Sequence, residues 1–167
     1  MFAVFDKFVR RLTQISGWVA GILILATSFI IAYEVFMRGL FNAPTEWSNE
    51  IAVYLIIGAS FLGLAPALAG NAHISVDLVT SKLKPQVNRF LHTITSVIGL
   101  VFCLILLLSS ADMVMASYEI NSLSTSTLRV PMYIPQLCIP IGSAVIVLEF
   151  VRQIIADLTA RTTREGN

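Results

Sequence analysis

Apolar and polar positions along this chain segregate on a coarse scale. Leu12 to Tyr33 is 22 residues without a charge, and a second apolar run extends from Ile51 to Leu68. Phe90 to Ala111 is another 22 uncharged residues. Val130 to Leu148 is the last run, opened by Pro131 and interrupted by Pro135 and Pro140. At ~1.5 Å rise per residue, about 20 such residues cross a hydrocarbon core of about 30 Å. Each run therefore predicts a membrane-spanning helix. With their flanks the spans fall at about 12–38, 47–71, 88–116 and 131–156, in a single four-helix transmembrane domain over residues 1–167.

Two shorter pieces carry a finer, amphipathic pattern. Phe2, Phe5, Phe8, Val9 and Leu12 recur at helical spacing, with Asp6, Lys7, Arg10 and Arg11 largely on the other side. Val76, Val79 and Leu83 do the same against Asp77, Ser81, Lys82 and Lys84, before Pro85. Both predict short helices lying in the headgroup region, over 2–12 and 76–84. Basic residues precede the first apolar run, as in a signal peptide. The run exceeds the usual h-region of about 7–15 residues, and no small-x-small cleavage site closes it, so a retained anchor is expected.

The polar punctuation fixes the connections. Glu34 and Arg38 close the first helix on one face, with Gly39 as its stop. Leu40 to Ala43 is a short link, which makes the first two spans antiparallel neighbours. Pro44 suits the first turn of the second helix, where Glu46 and Glu50 complement its dipole. Asn121 to Thr127 is rich in Ser and Thr and has no periodicity.

Composition agrees with this pattern. The chain is 56% hydrophobic and 13% charged, with a mean hydropathy of +0.82, against about 25% charge in soluble domains. The net charge of +1 comes without any basic stripe interleaved with aromatics, so no nucleic-acid partner is expected. The placement of charge is more telling than its sum. Lys7, Arg10 and Arg11, then Lys82, Lys84 and Arg89, then Arg152, Arg161 and Arg164 occupy three alternate segments, whereas the other two connections hold only Arg38 and Arg129. The positive-inside rule then puts both termini and the His73–Arg89 loop in the cytoplasm, and the Pro44–Glu50 mouth outside.

Candidate chemistry is sparse. Cys103 and Cys138 lie within apolar runs and read as small buried hydrophobes. No metal-ligand spacing, nucleophile–base motif or phosphate loop appears, so no cofactor and no enzymatic activity are expected. Glu34, Glu50, Asp112 and Glu149 adjoin the spans, where ionisable groups mark functional or partner-contacting sites. Arg38 is expected to hold Glu34 and Glu50 together, with Trp47 seating the cluster at headgroup level. Arg152, three residues after Glu149, suggests a local pair. His73 and Asp77, four apart, suggest a polar helix terminus in which the carboxylate orients the imidazole. Gly21, Ala26, Gly58, Ala59, Gly63, Ala69, Gly142 and Ala144 supply small residues for close packing. The residues alone thus give an all-α integral membrane protein with four transmembrane helices, interfacial helices and cytoplasmic termini. Two readings stay open at this point: a haem-bearing anchor of a respiratory enzyme, using His73 and His92, and a small self-sufficient exporter using Glu34.

Arg38 with Phe41, Pro44-x-x-Trp47-x-x-Glu50, Gly63, His73-Ile74-x-Val76-Asp77 and Pro140-x-Gly142 occur in an order and spacing that resembles the small membrane subunit (Q-type, DctQ-like) of tripartite ATP-independent periplasmic (TRAP) transporters. The resemblance covers nearly the whole chain. Asn49 departs from it, since many relatives carry a second acid before Glu50. The resemblance implies a permease subunit of the bacterial inner membrane, in contact with lipid. It would brace a large multi-span membrane subunit that bears the substrate and sodium sites and moves as an elevator. The system would take up an organic acid, coupled to sodium and delivered by a periplasmic binding protein. The substrate pocket would then lie on the large subunit. Glu34, Arg38, Trp47, Glu50, His73, Asp77, Asp112 and Glu149 become structural or partner-interface candidates.

Overall fold

The computed structural model describes residues 2–71 and 85–165, and the side chains of residues 4–70 and 94–156. The described residues form α1 (Phe2–Phe41), α2 (Glu46–Asn71), α3 (Pro85–Glu119), a single turn α4 (Tyr133–Gln136) and α5 (Cys138–Glu165). Four stretches are long and apolar enough to cross a membrane: Val4–Phe41, Glu46–Gly70, Ile94–Glu119 and Tyr133–Ala156. The all-helical expectation therefore holds: the first three apolar runs are each a long helix, and the fourth is a helical turn followed by a long helix.

The first segment differs from the sequence reading. Residues 2–12 are not a separate surface helix but the opening turns of α1, which is 40 residues long, or ~60 Å. No Gly or Pro interrupts Phe2 to Ser16. Val9, Thr13, Ser16, Ala20 and Thr27 are all buried, at spacings that put them on one face. That stripe runs unbroken through both halves, so the prelude packs as a continuation of the span. The second amphipathic piece, 76–84, lies outside the described residues.

Gly39 does not end α1. The helix runs on to Phe41, and Asn42 supplies the left-handed residue with φ 51°, a conformation Asn tolerates. The Ala43 N–H then reaches back to the Met37 carbonyl at 3.4 Å. α3 ends on the same device: Asn121 has φ 49°, with Ser122 N–H on the Ser117 carbonyl at 3.0 Å and Asn121 N–H on the Tyr118 carbonyl at 3.1 Å, the paired bonds of a Schellman cap.

α1 and α2 are antiparallel. Ser16 meets Leu62, Ala20 lies against Gly63, and Tyr33 packs on Trp47. A residue overlooked in the sequence explains the closest part of this contact. Pro66 lies inside α2 and has no N–H for the Leu62 carbonyl one turn back. The Ser16 hydroxyl of α1 donates to that carbonyl instead. Gly17, the next residue, leaves room for the proline ring: a Cβ there would stand 3.3 Å from Pro66.

Pro135 and Pro140 split the last span at Leu137, because each removes a backbone donor. Beyond the break, α5 touches α2 backbone to backbone. A Cβ on Gly142 would fall 2.5 Å from the Phe61 carbonyl oxygen, so only glycine allows this approach. Gly99 receives the Phe150 ring in a similar way. Gly58 and Gly63 pack as expected, but Gly21 meets nothing within 4 Å. A small core of Ala65, Cys103, Val145 and Ile146 joins α2, α3 and α5, with Leu12 of α1 against it. Cys103 is buried, Cys138 half-buried, and both thiols are free. α2 and α5 form the centre. α1 lies along both, whereas α3 packs on α5 and the α4 turn.

Candidate functional site

Polar side chains gather at the two ends of the bundle. At the Trp47 end, Thr45 opens α2 with its hydroxyl 2.6 Å from that of Ser48. Glu50, one turn in, accepts from the Tyr54 hydroxyl at 2.5 Å and from the Ser126 hydroxyl. Glu46 accepts from Thr127 at 2.6 Å. Both acids therefore grip the connection between α3 and α4. That Ser/Thr-rich connection is a small hairpin rather than an irregular turn. Leu123 bridges antiparallel to Pro131, with Ser124 N–H on the Val130 carbonyl and Met132 N–H on that of Ser122, each at 2.9 Å. Arg129 adopts φ 45° at its turn.

The expected Glu34–Arg38–Glu50 cluster does not form. Arg38 pairs with Glu34 alone among the described residues, at 3.6 Å, and its side chain is 62% exposed. Glu50 sits on the α2 face turned toward the hairpin, whose hydroxyls occupy it. Trp47 stacks against Tyr33 with ring centroids 6.1 Å apart.

At the Asp6 end, ~40 Å away along α1 by helical rise, the arrangement is ionic and closed. Glu149 is 0% exposed and Arg152 8%. The Arg152 guanidinium donates to both Glu149 oxygens, at 2.5 and 3.0 Å. Gln153 and Thr13 also donate to Glu149, each at 3.3 Å. The remaining Arg152 nitrogen reaches Asp6 at 3.1 Å, and Asp6 takes Arg10 at 2.8 Å. Two helices whose residues are 146 positions apart are thus joined through one guanidinium. The local Glu149–Arg152 pair was expected from its spacing. Asp6 and Thr13 were not, since no periodicity within α5 points to α1; Gln153, four residues after Glu149 on α5, was missed although its spacing is local.

Asp112 is exposed on α3, with no hydrogen-bond or ion-pair partner among the described residues. His73 and Asp77, and the side chain of His92, lie outside the described residues. No group of three or more metal-ligating side chains occurs among the described residues.

Four long apolar helices with a small apolar core, and ion pairs gathered toward their ends, define a multi-pass membrane protein of the helical-bundle class. Comparison with known proteins gives the family. The model for the DctQ component of tripartite ATP-independent periplasmic transporters matches residues 27–160. The chain belongs to this family, a component of TRAP transporters. It is 34% identical over 80 residues to a putative TRAP transporter small permease protein of Haemophilus influenzae, covering 48% of this chain and 50% of that protein. It is 26% identical over 106 residues to the C4-dicarboxylate TRAP transporter small permease protein DctQ of Rhodobacter capsulatus, covering 64% and 46%. It is 25% identical over 146 residues to the isethionate TRAP transporter permease protein DctMQ of Oleidesulfovibrio alaskensis, covering 84% of this chain and 22% of that protein. The chain thus spans half or less of the length of these relatives.

Proposed function

We propose that this chain is the small, static subunit of a TRAP-type secondary transporter, bracing a large multi-span membrane subunit during sodium-coupled uptake of an organic acid. A periplasmic binding protein delivers the acid, and the two membrane subunits lie in the inner membrane of a bacterium. The observation that carries this reading is how the core uses its charges. Both Glu149 oxygens accept, from Arg152, Gln153 and Thr13, and each of the three Arg152 guanidinium nitrogens donates, to Glu149 or Asp6. These groups hold helices together, and Glu149 and Arg152 are buried away from any solute. The match to a permease of which this chain covers only 22% supports a larger membrane partner. The role is transport rather than catalysis.

The haem-anchor alternative draws only on His73 and His92. The exporter alternative draws on Glu34, which the structure ties to Arg38. Nine of the eleven basic residues favour cytoplasmic termini, which puts the Asp6 end inside and the hairpin outside.

Reconstitution tests the reading. Vesicles holding this chain with its large subunit and binding protein should accumulate an organic acid only under an inward sodium gradient, and the chain alone should accumulate none. Uptake by the chain alone would overturn it. Reporter fusions at Asn167 and within 121–127 test the orientation, and an outward C-terminal reporter would reverse it.

A further inference from the structure

Two long faces of the bundle are uncovered, and they differ in one respect. On α1, Ile15, Trp18, Ile22, Leu25, Phe29 and Phe36 form an exposed stripe, with no Asp, Glu, Lys, Arg or His between Arg11 and Glu34. Acyl chains can cover such a surface. On α3, Ile98, Phe102, Ile105, Leu108 and Met115 are 59–66% exposed, at three- and four-residue steps as far as Leu108 and then two turns on at Met115. Ser109 and Asp112 lie within that same stripe, both exposed.

Asp112 is not at the helix end. Tyr118, six residues on, packs edge-to-face on Tyr133 with centroids 5.5 Å apart. Tyrosines of this kind mark the interface, and six residues of helix place Asp112 ~9 Å deeper. A carboxylate at such depth costs up to about 3 kcal/mol unless it is paired, and a short aspartate stem reaches water poorly. No group of this chain pairs with it among the described residues, and acyl chains cannot.

We infer that the α3 stripe through Ser109, Asp112 and Ala116 is the face on which the large membrane subunit seats a helix, and that this helix presents a Lys, an Arg or another hydrogen-bond donor to Asp112. The inference rests on the transporter reading above and assigns its interface. Charge complementarity selects the occupant: a protein helix supplies a cation at this depth, whereas lipid tails do not. A second copy of this chain would present another Asp112 in a two-fold contact of this face, like charge against like.

Photo-crosslinking in membranes expressing both subunits tests it without altering Asp112. A benzophenone amino acid is placed at Ser109 or Ala116 of α3, and at Ile22 or Phe29 of α1. Adducts to the large subunit from the α3 positions, and lipid-only labelling from α1, are expected. Asp112→Lys should lower recovery of the large subunit on the tagged chain by about tenfold, while Asp112→Asn keeps more of it. Adducts from α1 alone, adducts at twice this chain's mass, or wild-type recovery with Asp112→Lys would each overturn the assignment while leaving the transporter reading standing. Wild-type chain that recovers no large subunit would remove both.

Discussion

The acids at the two ends of the bundle are satisfied by different chemistry. At the Asp6 end, Glu149 and Arg152 are buried and paired charge to charge, with every contact made between α1 and α5 or within α5. At the Trp47 end, Glu46 and Glu50 accept only hydroxyl protons, from Thr127, Ser126 and Tyr54. An ion pair enclosed in protein is unforgiving, because removing one partner strands the other without water. Hydroxyl-to-carboxylate bonds beside solvent exchange readily with water. One end of the molecule is a fastening and the other an adjustable grip on a loop.

Arg152→Ala should break this comparison most visibly. It leaves Glu149 buried and unpaired, at a cost of about 3–5 kcal/mol. Thermal unfolding in detergent should show a large fall in Tm, or loss of folded protein. Replacing Glu149 and Arg152 together with methionine should recover most of the loss, since no buried charge then remains unpaired. If the double variant were no better than Arg152→Ala, the network would not be the fastening described. Gly142→Ala ranks next, because its Cβ meets the Phe61 backbone. Forcing α2 and α5 apart should cost about 1–3 kcal/mol by the same measurement. Unchanged stability would deny the close approach of the two backbones.

The opposite end should respond in motion rather than in stability. Glu50→Ala is expected to leave Tm near wild type and to free the hairpin, seen as faster motion of a spin label at Thr125. A rigid label in that variant would show that the hairpin holds itself. Arg38→Ala should be the quietest, at no more than about 1 kcal/mol, because the pair with Glu34 is local and solvent-exposed. A greater effect on stability than that of Arg152→Ala would invert the ranking of the two ends.

The four spans and the antiparallel start were legible because uncharged runs of this length have few other fates. The Glu149–Arg152 pair was legible because i, i+3 spacing is local. Asp6 escaped for the converse reason: its partner is set by how α1 leans on α5, which no pattern within either helix encodes. The same limit produced the misassigned Arg38 cluster. Arg38 and Glu50 are near in sequence, whereas the rotation of α2 turns Glu50 toward the Ser126 hydroxyl 76 residues away. Residues 2–12 misled because an amphipathic helix reads alike whether its apolar side meets lipid or a neighbouring helix. Pro66 could have been caught, since a proline within a span leaves a carbonyl that must find a donor.

That carbonyl also bears on how the two halves of the molecule move. Ser16 and Leu62 can bond at one setting of α1 against α2. Sliding either helix by a residue would carry the hydroxyl away and leave a bare oxygen in surroundings with no water to replace it. The contact behaves as a detent, resisting axial slip yet tolerating slight rocking about the bond. Load applied along the long axis of α1 would therefore reach α2 as a push rather than be lost in shear.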